Sequence, residues 1–182
     1  MFIQCENTPN PHALKFIITD VKVCDQVIHF NKDDDCSLSP LAAYLLKKNE
    51  VKSVLLGEEF ITITKNEKHE WQKIRPSILA DLTDFFNSNQ PVMLENVKAN
   101  EIKKNVNKIE REIIDILDEK IRPAVAQDGG DIIFEKFENN VVYLKLQGAC
   151  QGCPSATITL KQGIENMLKH YIPEVKSVEQ IF

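Results

Sequence analysis

The sequence predicts an α+β protein: two small α/β-layered domains joined by a polar linker. Three observations carry that expectation. Short β-rich runs alternate with amphipathic helical stripes through both halves, with no internal repeat or low-complexity tract. The length, 182 residues, exceeds the roughly 100 to 150 residues common for one small domain. Composition also turns polar between residues 87 and 104, beginning Asn87-Ser88-Asn89-Gln90-Pro91, which marks a boundary. The expected division is 1–88, a linker at 89–104, and 105–182.

In the first half, Leu14-Lys15-Phe16-Ile17-Ile18 follows the turn-prone Thr8-Pro9-Asn10-Pro11 and reads as a strand. A second short strand is expected at 27–30. Ser39 before Pro40 reads as the N-cap and first residue of a helix, with Leu41, Tyr44, Leu45 and Lys48 on one face. Residues 51–56 and 60–64 read as strands around Gly57-Glu58-Glu59. In the later one Phe60, Thr62 and Thr64 share a face, and Ile61 and Ile63 take the other. Trp71, Ile74, Ile78, Leu82 and Phe85 form a helical stripe that reads as core, with Pro76 expected to restart or kink the helix.

The second half opens with a helical pattern at Val106, Ile109, Ile113, Ile116, Leu117, Ile121 and Val125, bent or restarted at Pro123. Asp128-Gly129-Gly130-Asp131 ends it. A hairpin follows, 132–137 and 141–146 around Asn139-Asn140, residues that accept positive φ. Val142, Leu144 and Leu146 point to one face. A last helix from Pro154 to about Lys169 and a strand within 175–181 give this domain the order α-β-β-α-β.

Charge and cysteine usage exclude several classes. Net charge is −5, with a sequence pI near 5.4. The two halves carry −4 and −1, so neither has the basic arm a phosphate-binding protein needs. No apolar run approaches the roughly 20 residues that span a bilayer. The start, Met1 to Glu6, has neither a secretory core nor an Arg- and Ser-rich transit pattern. Five cysteines, of which only Cys150 and Cys153 are close, make a poor disulfide framework, so reduced thiols in a cytosolic setting are expected.

Chemistry concentrates at Gln147-Gly148-Ala149-Cys150-Gln151-Gly152-Cys153-Pro154-Ser155-Ala156-Thr157, between an expected strand and an expected helix. Pro154 suits the first helical position and makes Cys153 the N-cap, where the helix dipole favours a thiolate. Gly148 and Gly152 clear side chains from around the sulfurs. Tetrahedral zinc and iron–sulfur clusters usually take four protein ligands, and this motif offers two. His170 lies about 25 Å further along the helix at ~1.5 Å per residue. A second copy of the chain is the simplest source of the missing pair. Zinc, an iron–sulfur cluster, thioredoxin-like redox exchange and an inert structural pair all remain open at this point. Against redox exchange, the proline follows the second cysteine instead of lying between the two.

Residues 110–178 resemble the NifU-type C-terminal domain of the Nfu family. The matching segments are Ile121-Arg122-Pro123-Ala124-Val125-Ala126-Gln127-Asp128-Gly129-Gly130-Asp131, Val142-Tyr143-Leu144 and Gly148-Ala149-Cys150-Gln151-Gly152-Cys153-Pro154-Ser155. Leu160 to Glu165 and Ile172-Pro173-Glu174-Val175 complete them. The first half resembles that family's N-terminal domain through Thr8-Pro9-Asn10-Pro11, Leu14-Lys15-Phe16, Ser39-Pro40-Leu41-Ala42, Phe60-Ile61-Thr62-Ile63-Thr64, Trp71 and Ile74-Arg75-Pro76.

The resemblance implies a non-enzymatic carrier. It would bind one [4Fe–4S] cluster between two protomers, exposed and held by Cys150 and Cys153 of each. The cluster would arrive from upstream assembly factors and pass to apo-proteins. A homodimer when loaded is implied, with no nucleic-acid or membrane partner. The compartment would be a bacterial cytoplasm, or the mitochondrial matrix if a presequence has been removed. Cys5, Cys24 and Cys36 match no family ligand and are expected to pack. The rivals are a thiol-disulfide oxidoreductase, a zinc-bridged dimer and a protein-binding adaptor. Around the motif, Asp128 to Asp131 are expected to be structural, Gly163 to admit another backbone, Lys161 and Lys169 to be solvated, and Asp33-Asp34-Asp35 to form a solvated turn.

Overall fold

The computed structural model describes residues 1–94 and 107–181, with side chains for all of these except 154–158. In the first domain five antiparallel strands form one sheet: β1 (Ile3–Asn7), β2 (Ala13–Ile18), β3 (Ile28–Asn31), β4 (Val51–Leu56) and β5 (Phe60–Lys65). Their spatial order is β1-β2-β5-β4-β3. Helices α1 (Pro40–Leu46) and α2 (Trp71–Asn87) pack on one face. Register sets Leu14, Ile63, Val54 and Phe30 side by side across the strands on that face. With Phe16, Ile61, Leu41, Leu45, Ile78 and Leu82 they make a single core.

Ser39 caps α1 by accepting from the Ala42 amide, and Pro40 takes the first helical position. Tyr44 departs from the expected stripe. The helix buries Leu41, Ala42, Leu45 and Leu46, while Tyr44 sits exposed at its edge and donates its hydroxyl to Asp81. Lys48 lies beyond the end of α1. Pro76 does not restart α2, which runs unbroken through it. So near the N-terminus the missing amide removes one bond to the preceding turn without ending the helix.

The second domain comprises α3 (Lys108–Ile116), a π-turn (Leu117–Ile121), α4 (Arg122–Gln127), β6 (Gly130–Glu138), β7 (Val141–Gly148), α5 (Pro154–Tyr171) and β8 (Ser177–Ile181). Asn107 and Glu110 form a reciprocal capping box at the start of α3. The expected bend is a π-turn placed just before Pro123, whose ring and absent amide prevent an unchanged α-helical ladder. Asn139 and Asn140 both take positive φ, as the hairpin requires. β8 then pairs parallel to β7, with α5 as the crossover. Val142, Leu144 and Leu146 meet Ile113, Leu117, Ile164, Leu168 and Val178 in a second core. Val106 and most of the expected linker, 89–104, lie outside the described residues; Val92 and Met93 pack on the first core.

The domains meet across the other face of the five-stranded sheet. Lys15, Thr62, Leu55 and His29 are direct cross-strand neighbours on β2, β5, β4 and β3, so they form one row on that face. Lys15 Nζ donates to the carbonyls of Ala126 (2.9 Å) and Gln127 (3.0 Å) at the end of α4. Thr62 lies against Gly129, and Leu55 against Gly148. Thr62 and Leu55 are fully buried, although neither faces the helices of its own domain. His29 Nε2, Thr62 Oγ1 and Thr64 Oγ1 on this face are buried with no hydrogen-bond partner among the described residues.

Candidate metal-binding site

The site is the turn between β7 and α5. Gly148 and Gly152 both take positive φ, so the chain reverses twice within five residues while presenting its carbonyls outward. Cys153 is the N-cap of α5 and Pro154 follows at the first helical position, as the sequence predicts. Cys150 lies three residues earlier, packed under β6. The space for its sulfur comes from Gly130, where a Cβ would stand 2.2 Å from Cys150 Sγ. The Asp128 to Asp131 segment therefore shapes the site as well as ending the helix. From the sequence the segment could line the cysteine loop or simply end the helix, and the second role is the one expected.

Asp131 is buried and held by Arg122, which donates from Nε (2.8 Å) and Nη2 (2.9 Å) to its two carboxylate oxygens. This two-point pair ties α4 to β6 beside the cysteines, and Asp118 adds a third contact to the same guanidinium at 3.1 Å. The pairing holds the Arg122 guanidinium above its ordinary range. Nothing in the spacing of Arg122 and Asp131 announces the pair before the chain is folded.

Both cysteines are nearly inaccessible, Cys150 at 4% and Cys153 at 1% exposure. The expectation of exposure concerned a cluster held between two copies; in the single chain the sulfurs themselves are covered. The loop 8–12 of the first domain covers them. Asn10, 1% exposed, donates its side-chain amide to the carbonyls of Ala149 and Gln151, both at 3.0 Å. Cys153 Sγ donates to the Pro9 carbonyl at 3.4 Å. The sequence marks Asn10 only as part of a turn between two prolines. Burial pushes the Cys150 thiol up to about 12, with Asp128, Cys153 and Asp131 adding to the rise. In this arrangement burial favours the protonated thiol of Cys150, whereas the expectation of a thiolate concerned Cys153 at the head of the helix.

On its open side the site borders a cavity of about 520 Å³ between α4 and α5, lined by Ile121, Val125, Leu160, Gly163, Ile164 and Met167 as well as both cysteines. Gly163 was expected to admit another backbone. A Cβ there would meet nothing within 4 Å among the described residues, so the residue borders the cavity instead. Lys161 pairs with Glu179 and Lys169 with Glu165 on the surface of α5. Asp34 and Asp35 accept from the amides of Asn31 and Ser37 in an exposed turn.

Cys5, Cys24 and Cys36 all belong to the first domain, where Cys24 is buried and the other two pack partly against the core. Among the described residues no three His, Cys, Asp or Glu side chains are grouped to hold a metal. Nor is any described helix long and apolar enough to cross a membrane.

Family models match the chain in two places: a scaffold protein Nfu/NifU N-terminal domain at residues 3–89 and a NifU-like domain at 113–179. The human mitochondrial NFU1 iron–sulfur cluster scaffold homologue is 45% identical over the full chain, which covers 72% of that protein. The chain belongs to the Nfu family. The namesake protein of Drosophila sechellia is 46% identical over the full chain, here spanning 65% of the relative. Among solved structures, a NifU-like protein from Saccharomyces cerevisiae aligns with a TM-score of 0.47 and 29% identity, over 53% of this chain and 87% of that one. The Nfu chain thus keeps both family domains, and the motif cysteines fall inside the NifU-like match.

Proposed function

We propose that this Nfu chain is a non-enzymatic carrier of iron–sulfur clusters. Two copies hold one [4Fe–4S] cluster through Cys150 and Cys153 of each and pass it to apo-proteins. The observation that carries the reading is the ligand count. Two sulfurs stand at one strand–helix junction, and no grouping of three metal-binding side chains occurs among the described residues. One chain therefore offers half of a four-ligand shell, and a two-fold axis through the site would supply the rest. Family membership supports iron–sulfur cargo over zinc, because the relatives are named as iron–sulfur cluster scaffolds. Those names also call the relatives mitochondrial, which favours the matrix over a bacterial cytoplasm for this chain. The working domain limits are 1–88 and 105–182, with the linker at 89–104.

Delivery is ligand exchange. A client thiol gives up its proton and bonds to iron as Cys150 or Cys153 leaves, and the departing sulfur takes a proton up. No electron changes hands. Separation of the two copies removes half the coordination at once, so release is easier than from a closed four-cysteine pocket.

Anaerobic reconstitution of the full chain tests this directly. About four iron and four sulfide per dimer are expected, with a shift from monomer to dimer on loading. Cys150→Ser or Cys153→Ser abolishes both, whereas replacing Cys5, Cys24 and Cys36 together leaves iron content unchanged. A colourless dimer with about one zinc per two chains would overturn the reading. Disulfide-reductase turnover with no iron bound would do the same.

A further inference from the structure

We propose that the first domain is a removable cap on the cysteine loop, latched by Asn10, which must swing aside before a cluster or a second copy can reach Cys150 and Cys153. The geometry of the contact comes first. The second domain exposes four backbone acceptors to the first: the carbonyls of Ala149 and Gln151 in the cysteine loop and of Ala126 and Gln127 at the end of α4. The first domain answers with one amide, from Asn10, and one ammonium, from Lys15. Pro9 supplies the carbonyl that takes the Cys153 thiol proton. Pro9 also lines the cavity beside both cysteines, so a copy of the chain approaching those sulfurs from that side would need the space that loop 8–12 occupies.

The latch is rigid on its own side. Pro9 and Pro11 fix the backbone on either side of Asn10. Asn10 Oδ1 accepts from the His12 amide at 2.9 Å, and Trp71 Nε1 donates to the Pro11 carbonyl at 3.1 Å, which anchors the loop to α2. When the domains part, the break therefore falls between them, at the Asn10, Lys15 and Cys153–Pro9 bonds, instead of inside either core.

The covered sheet face is also built to be wetted. Its row carries Lys15, Thr62 and His29, and Thr64 stands beside them. Three of its buried polar atoms find no partner among the described residues. Water would satisfy all three on separation. Domain contacts of this polar kind open more readily than apolar ones. The cap itself rests on this geometry; its consequence for loading rests on the carrier reading above.

Site-resolved alkylation of the metal-free full chain by iodoacetamide is the test. In the native sequence Cys150 and Cys153 react far more slowly than Cys36. Asn10→Asp keeps the side-chain shape but turns acceptors on the two carbonyls, so both motif cysteines should react at least about tenfold faster. The paired change Asn10→Ala with Lys15→Met gives the same gain. Cys24, in the first core, keeps its rate in both variants, which separates opening from unfolding. Motif cysteines as reactive as Cys36 in the native sequence, or unmoved by both variants, would overturn the cap. In reconstitution, Asn10→Asp loads iron faster to the same final content. If alkylation quickens and no cluster ever loads, the cap stands and the carrier reading falls.

Discussion

The five-stranded sheet has two faces that were read from the same alternation and met different fates. Ile61 and Ile63 turn inward to α1 and α2, and Thr62 and Thr64 turn outward, as period-two patterning requires. Polar residues on an outward face ordinarily imply water. Here the second domain covers them, and Thr62 is as buried as Ile61. Alternation thus determines which way a side chain points but not what it points at. An apolar face declares its need for a partner, whereas a polar face covered by a separable one looks the same in sequence as a solvated face.

Adjacent substitutions on opposite faces sharpen the contrast most. Ile61→Ala removes a fully buried side chain from the first core and should cost about 3 kcal/mol of unfolding free energy, read by urea denaturation. Thr62→Val replaces a buried hydroxyl that has no partner among the described residues with a methyl of similar shape. It should stabilise by about 1 kcal/mol in the same assay. A loss at Thr62→Val comparable to that at Ile61→Ala would mean that the hydroxyl has a bond the folded chain depends on, and the distinction between the faces would fail.

What sequence could and could not deliver follows the same division. Local signals worked where one residue type meets one backbone need. Ser39-Pro40 starts α1, Asn139-Asn140 turns the hairpin, and Cys153-Pro154 opens α5. Even β8 was legible from its own composition. The failures all involve partners distant in the chain. Asn10 meets Ala149 and Gln151 across some 140 residues, and Arg122 meets Asp131 only because the π-turn and the Gly129 reversal bring α4 beside β6. The cover over the two-cysteine loop went unread for that reason too. No pattern within residues 147–157 encodes the loop from the first domain that covers it.

The covered face also carries a pH dependence that a solvated one would lack. Burial pushes His29 down to about 4; Asp34 and Asp131 oppose the shift, and Lys145 adds to it. Unfolded, the imidazole returns to its ordinary value near 6.5. The native state therefore binds fewer protons across the window from 6.5 to 4, and stability present above that window is lost as pH falls through it. Between pH 7.5 and 5 this one residue should cost the native chain about 2 kcal/mol relative to His29→Gln. Parallel urea curves of the two proteins at both pH values provide the check. An identical pH response in both would place His29 in water and leave the outer face uncovered.

The smallest effect lies in the second domain and asks whether open space there is structural slack. Gly163 stands inside the continuous helix α5, where alanine would be favoured by about 1 kcal/mol. A Cβ at that position touches nothing among the described residues. Gly163→Ala should therefore raise the melting temperature of the metal-free chain by about 4 °C. A fall instead would restore the backbone packing expected from sequence. A rise says that the helix gave up stability at a position that lines the cavity beside Cys150 and Cys153. The cysteine side of the second domain then resembles the outer face of the first: each bears an energetic penalty that its own domain's packing does not require.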